Sequence, residues 1–495
     1  FTNIKHYLFV SRLIVYVRLI AIYCLAVETN LDSETMSEKS DLVDIVGLRD
    51  IQTPFGVHLS GIYKRSFAYI TLKDRLPIIL TKIIDTISRD KENIAQKFGE
   101  NATEEIKQLV GFISKLKNEI VTNKTLKPLQ LLPVSSNDAE EWNKYLMKRT
   151  DIEGGTPTWF NTEWLYCECY MYRALAQEIA LKKYLRDYDP FRQQKQSAFT
   201  NSLSSINALC TYTMKHVQRA ESLSEVETKE ELLKFLQLNL WGNKCDLSLS
   251  AGAEVSTTSN PIETLQSIRK DILVDRSEFV WNFLRKKESD TNIIDMVFDN
   301  AGYELFTDVC LAVFLIACKL AGKIRFYVKL YPWYVSDTTK DDFYWTLLYM
   351  NNSPNKDLQE LAKLASAHLK NNTWIIEEES YWTGPYDFAA MKEHDKALYA
   401  KLSEAKLAIF KGDLNYRKLV GDINWEYTTE FSKSLRGFQP THVLSLRTVK
   451  SDVCVGLPSG MGEELFKKDE NWMITGQYGL IQTTLAGTCQ CSNTC

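Results

Sequence analysis

Beyond residue 265, short apolar runs rich in β-forming residues alternate with helical stretches, and the runs end on polar residues. Ile293-Ile294-Asp295-Met296-Val297-Phe298 stops at Asp299-Asn300. Lys323 to Leu330 leads through Pro332-Trp333-Tyr334-Val335-Ser336 to Asp337. Trp374-Ile375-Ile376 runs into Tyr381-Trp382-Thr383-Gly384-Pro385, Leu407-Ala408-Ile409-Phe410 into Lys411-Gly412-Asp413, and His442 to Leu446 into Arg447-Thr448. Strand then helix, repeated, predicts a mostly parallel sheet flanked by helices, an α/β fold. In open sheets of this kind ligands bind outside the carboxyl ends of the strands. Residues distant in sequence can meet there.

From about residue 70 to 240 the period is helical. Ile78, Ile79, Leu80, Ile83, Ile84 and Ile87 follow the 3.6-residue repeat. Thr103-Glu104-Glu105-Ile106 opens a second helix carrying Leu109, Val110, Phe112, Ile113 and Leu116, and Trp164 to Tyr184 reads as a third. The expected organisation is a mainly helical N-terminal region over 36–245, a Ser/Thr/Ala-rich linker or insertion over 246–262, an α/β core over 263–482 and a tail over 483–495. Leu8 to Val27 is a 20-residue apolar stretch, long enough to span a bilayer. Arg12 and Arg18 interrupt it, each at about 2.5–3.5 kcal/mol near a helix centre. Residues 1–35 therefore read as a non-native or disordered leader, with a signal anchor as the alternative. Met36, ahead of Ser37-Glu38-Lys39-Ser40-Asp41, reads as a start. No stable membrane insertion is expected. Cys489, Cys491 and Cys495 lack the spacing of a four-ligand metal tail.

Lys plus Arg total 59 against 63 Asp plus Glu, a formal charge of −4. That argues against a generally basic nucleic-acid binder. The 11 cysteines, spread along a long chain, suit reduced thiols in a cytoplasmic protein.

Asp299 and Asn300 offer a carboxylate and an amide carbonyl, hard oxygen donors suited to Mg²⁺ or Mn²⁺. An Asp-Asn pair at a strand end also serves as a turn or helix cap. Glu304 and Asp308 lie four apart, on one helical face. Asp337 either completes a three-oxygen metal set with Asp299 and Asn300 or caps the next helix. At Lys411 to Lys418, Gly412 opens a helix start suited to an anion. Asp413 and Asn415 can bind metal, water or hydroxyls. Arg417 and Lys418 are either positive charge for a ligand or a solvated face. Arg447 and Lys450 can hold a phosphoryl group as fork and point charge. Acids for a metal beside cations for an anion suggest metal-assisted phosphoryl chemistry. No Walker A loop, HExxH or GxSxG is present.

Asp299-Asn300-Ala301-Gly302-Tyr303-Glu304, KLYPWYVSD ending at Asp337, KGDLNYRK from Lys411 and Arg447-Thr448-Val449-Lys450, in that order, resemble the DUF89 damage-control phosphatase family in its acidic-residue-methyltransferase-1-like branch. Arg65-Ser66-Phe67-Ala68-Tyr69 and the stretch from Trp164 to Arg173 are similar to that branch too. The resemblance runs from about residue 50 to 482. It implies a Rossmann-like core with a helical N-terminal region. It also implies a metal-dependent phosphatase acting on small sugar phosphates, with fructose 1-phosphate and fructose 6-phosphate as types. By motif, Asp299, Asn300 and Asp337 would hold Mn²⁺, Ni²⁺, Co²⁺ or Mg²⁺, and Lys450 would meet the phosphate. Glu304, Asp413, Asn415 and Arg447 would line the substrate or stand behind it. The attacking group would be an activated water or the Asp299 carboxylate. The same family has been described as S-adenosylmethionine-dependent carboxyl methyltransferases acting on protein glutamates. No glycine-rich methyltransferase loop is present here, and a location in the cytoplasm, or also the nucleus, is expected.

Overall fold

The computed structural model describes residues 47–131, 138–243, 260–286 and 292–485. The leader with Met36, most of the 246–262 linker and the cysteines of the tail lie outside the described residues.

The sheet has seven strands: β1 Ile272–Asp275, β2 Ile293–Val297, β3 Lys323–Val328, β4 Trp374–Glu378, β5 Leu407–Lys411, β6 His442–Thr448 and β7 Gly479–Thr484. Their order is β1-β7-β6-β5-β2-β3-β4. From β6 to β4 every pairing is parallel. β7 runs antiparallel to β6 and parallel to β1. The strands β2, β3, β5 and β6 match the apolar runs of the sequence because parallel strands covered on both faces are largely apolar; β4, at the edge, is partly exposed and is marked by Trp374-Ile375-Ile376 alone. β1 and β7 went unanticipated. The first is four partly exposed residues, and the second carries polar residues through Gln482 and Thr484.

After β2 the chain winds outward one way through β3 and β4. It then returns to the other side of β2 with β5 and β6. The strand order therefore reverses between β2 and β5, and open α/β sheets bind ligands at such a switch point.

Successive residues of one strand serve opposite faces. Leu407 and Ile409 join one hydrophobic cluster with Leu209, Leu236 and Met296. Ala408 and Phe410 join the other with Ile83, Leu109 and Trp164. N-terminal helices thus share both cores with the sheet.

The helix Leu76–Arg89 buries Ile79, Leu80, Ile83 and Ile87 and leaves Ile78 exposed. Each such buried side chain contributes about 1.5–3 kcal/mol. Ala102–Val121 buries Ile106, Leu109, Ile113, Leu116 and Ile120. The aromatic helix is shorter than expected: it runs Trp164–Ala180 rather than on to Tyr184. Glu105, from the neighbouring helix, accepts the backbone N–H groups of Lys183, Tyr184 and Leu185 at 2.8, 2.9 and 3.0 Å. That carboxylate supplies the turn with an alternative to helical bonding. Burial raises the Glu105 pKa, but the three donors outweigh it and hold it below the usual carboxylate value.

Candidate active site

β2, β3, β5 and β6 all point their carboxyl ends the same way, and the candidate residues follow those ends. One small cavity, about 40 Å³, is lined there by Asp299, Asn300, Asp337, Asp413 and Lys450. The helical region adds Phe67, Arg75, Trp164 and Glu168 to its wall.

The donor cluster is built by backbone as much as by side chains. Asn300 forms an isolated antiparallel bridge with Asp337. Thr338 N–H donates to the Asp299 carbonyl at 2.7 Å, and Ala301 N–H donates to the Ser336 carbonyl at 2.7 Å. These bonds stitch the segment after β2 to the segment after β3. Val335 sits at φ 69° between Tyr334 O and Ser336 N, which bond at 2.8 Å. A β-branched residue in that three-residue turn is strained by about 1–3 kcal/mol. The strain lets Ser336 turn its hydroxyl onto Asn300 Oδ1, at 2.5 Å.

Neither helix-cap alternative holds. The helix Tyr303–Ala317 starts after Gly302 with no side-chain cap, and Lys340–Asn351 is capped by Thr339 in a capping box with Asp342. Asp299, Asn300 and Asp337 are therefore buried oxygen donors with no capping duty.

Asn300 Nδ2 donates to Asp299 Oδ2 at 3.0 Å and Glu304 Oε2 at 2.8 Å. Lys329 Nζ stands 3.1 Å from Asp337 Oδ2. Glu304 and Asp308, on one helical face, both hold Lys411 Nζ at 2.8 Å. Burial pushes the Asp308 pKa up to about 6 against the pull of Lys411. Burial opposes the Lys411 charge as well, but Asp308 and Glu304 more than offset it and keep its pKa above the ordinary value.

The remaining motif residues separate. Asp413 Oδ1 accepts from Arg447 Nε at 2.7 Å and Lys450 N at 3.2 Å. Arg447 is fully buried and also donates to Val453 O, Ser451 O and Ser451 Oγ, with its guanidinium 4.0 Å from the Tyr416 ring centre. Asn415 Nδ2 ties Lys411 O to Phe298 O at 2.7 and 3.1 Å. Arg447 and Asn415 brace the strand ends and do not line the cavity. The solvated-face alternative for Arg417 and Lys418 also fails. Arg417 is buried between Glu168 and Asp422 over the Trp164 ring, and Lys418 donates to the carbonyls of Gly384 and Tyr386. Burial lowers the Lys418 pKa.

Asn243, at the end of the helix Glu225–Gly242, escaped the sequence reading. Its Nδ2 donates to Asp299 Oδ2 at 2.7 Å and Glu304 Oε2 at 2.6 Å. Its Oδ1 accepts from Lys450 Nζ at 2.6 Å and Thr448 Oγ1 at 2.5 Å. One carboxamide thus spans Lys450 and Asp299. The available signal was Gly242: a β-carbon there would lie 2.7 Å from Thr307 Oγ1, so this helix end packs closely on the helix that carries Glu304.

The chemistry of this donor set, carboxylate and amide oxygens, suits a divalent ion. Among the described residues no group of three His, Cys, Asp or Glu side chains has metal-holding geometry. The cavity instead brings the carboxylates Asp299 and Asp337 to one wall with the Asn300 amide, and Asp413 and Glu168 line it too. Mg²⁺-type sites commonly use one or two carboxylates and leave the other positions to water and substrate phosphate. Ser336 takes one lone pair of Asn300 Oδ1, and an amide oxygen has two.

The sheet and its switch-point cavity define an α/β protein of the Rossmann-like class. Comparison with known proteins is narrower. The profile of the damage-control phosphatase ARMT1-like domain matches residues 71–465. The chain is 44% identical over 434 residues to damage-control phosphatase ARMT1 of Xenopus laevis, covering 86% of this chain and 98% of the relative. It is 41% identical over 432 residues to that of Danio rerio, covering 86% and 96%. It is 40% identical over 433 residues to that of Homo sapiens, covering 86% and 97%. The chain belongs to the damage-control phosphatase ARMT1-like family.

Proposed function

We propose that this chain is a metal-dependent phosphomonoester hydrolase that acts on small sugar phosphates, with fructose 1-phosphate and fructose 6-phosphate as the types, in metabolite damage control. The observation that carries the reading is one cavity lined by Asp299, Asn300, Asp337 and Lys450 at the sheet's switch point. The relatives' name supports ester hydrolysis. It does not favour the carboxyl methyltransferase alternative.

Asp299, Asn300 and Asp337 would hold the ion, as Mn²⁺, Ni²⁺, Co²⁺ or Mg²⁺. When bound, it supplies positive charge that neutralises phosphoryl oxygens. Lys450 steadies the charge that grows on those oxygens in the transition state, from a position fixed before the reaction. Glu304 orients Asn300. Asp413, held by Arg447, faces the cavity and accepts a substrate hydroxyl. The ester P–O bond breaks, the leaving oxygen takes a proton, and water supplies the oxygen added to phosphorus. Water attacks either directly or after transfer of the phosphoryl group to the Asp299 carboxylate. Trapping a beryllofluoride adduct on Asp299 separates the two routes.

Among the described residues no helix is long and apolar enough to cross a membrane. Free thiols at Cys167, Cys169, Cys210, Cys310 and Cys454 are buried, which suits a reducing cytoplasmic or nuclear location. The test is a phosphate-release screen over sugar phosphates with each of the four metals. Turnover of a ketose phosphate, lost in Asp299→Ala with folding intact, is the expected result. Full turnover in that variant refutes the assignment.

A further inference from the structure

We propose that Asn243 is a positioning residue that fixes the phosphate-binding lysine against the metal-binding carboxylate. The proposal rests on the phosphatase reading and adds a residue that no motif contains. Asn243 is fully buried, and every polar atom that its side chain offers is used. Lys450 Nζ donates at 2.6 Å both to the Asn243 carbonyl and to its Oδ1. An ammonium has three N–H directions. With two turned onto Asn243, the orientation of the third is set.

The amide's polarity matches its place. Its oxygen faces the donors Lys450 and Thr448, and its nitrogen faces the acceptors Asp299 and Glu304. Alanine removes both ends. Aspartate keeps the shape but turns a carboxylate oxygen toward two other carboxylates. The residue cannot drift, because Gly242 seats the helix end directly on Thr307. Through this side chain the helical region bonds to both Lys450 and Asp299. Misplacing a reacting group by an ångström costs about 10²-fold in rate, and that is the scale at which Asn243 acts.

The experiment compares the parent, Asn243→Ala and Thr448→Val by three measurements. These are steady-state phosphate release, Mn²⁺ affinity by electron paramagnetic resonance, and affinity of the Mn²⁺-loaded protein for inorganic phosphate by calorimetry. Asn243→Ala is expected to lower kcat about 10²-fold and to weaken inorganic phosphate about tenfold; Mn²⁺ affinity should fall too, about tenfold or more, because the lost Nδ2 also braces the Asp299 carboxylate. Thr448→Val, which removes one hydroxyl from the same oxygen, should repeat the pattern at smaller size. Unchanged kcat and phosphate affinity in Asn243→Ala overturn the proposal. If the alanine variant does not fold, the valine variant decides: parental kcat and phosphate affinity there overturn the proposal. A parent that releases no phosphate from any ester sinks the phosphatase reading, while the two binding measurements still test the placement of Lys450.

Discussion

Asp299 occupies the space in which a side chain on residue 412 would begin. A β-carbon built on Gly412 would stand 1.8 Å from Asp299 Oδ2, and Gly412 itself sits at φ 81°. The end of β2 and the helix start after β5 thus meet at the switch point with no room for a methyl group. Gly412→Ala should displace the Asp299 carboxylate and adds left-handed backbone strain of about 1–2 kcal/mol. Phosphate release should fall about 10²-fold or more. Steady-state assay with thermal melting checks both effects; parental turnover in a folded Gly412→Ala variant would contradict the contact.

Lys450 and Arg447 should respond differently to removal. Lys450 faces the cavity, whereas Arg447 is buried in bonds to Asp413, Ser451 and Val453. Lys450→Ala should cost catalysis chiefly. Arg447→Ala should cost stability, about 3–5 kcal/mol, because it strands a largely buried carboxylate and two carbonyls. Urea unfolding of the two variants distinguishes them, and equal stability losses would be the wrong result.

Asp308 should leave a mark on the pH dependence of stability. Its folded pKa, about 6, lies above the ordinary value of 3.8. The folded protein therefore binds more protons than the unfolded chain between those values. The contribution is fully present below about pH 4 and is lost as pH rises through about 6. Asp308→Asn should flatten that fall by up to about 1.4 kcal/mol per pH unit. Unfolding free energies measured from pH 4 to 7 test this, and identical slopes in the two proteins would exclude it.

Much of this architecture was legible before any coordinates. The strands β2, β3, β5 and β6 announce themselves as apolar runs because both of their faces are covered, and Asp299, Asn300, Asp337, Asp413 and Lys450 announce themselves by following such runs. What stayed hidden depends on contacts between distant segments. Glu105 ends the Trp164 helix from another element. Arg417 is buried because Glu168 lies 249 residues away in sequence and still pairs with it. β7 pairs antiparallel with β6 across the long connection from Val449 to Tyr478, where no tight turn signals a hairpin. Asn243 has no local signature, since a helix-end asparagine is common and its partners come from the segment after β2, the following helix, the end of β6 and the segment after it.

One ion position decides the chemistry of this cavity. Crystals grown or soaked with Mn²⁺ and measured at an energy where manganese scatters anomalously would show it directly. The expected result is one strong peak within about 2.0–2.6 Å of oxygens from Asp299, Asn300 and Asp337, with Lys450 facing it across the cavity. A peak at a different cluster, or an empty cavity at millimolar Mn²⁺, would contradict the account.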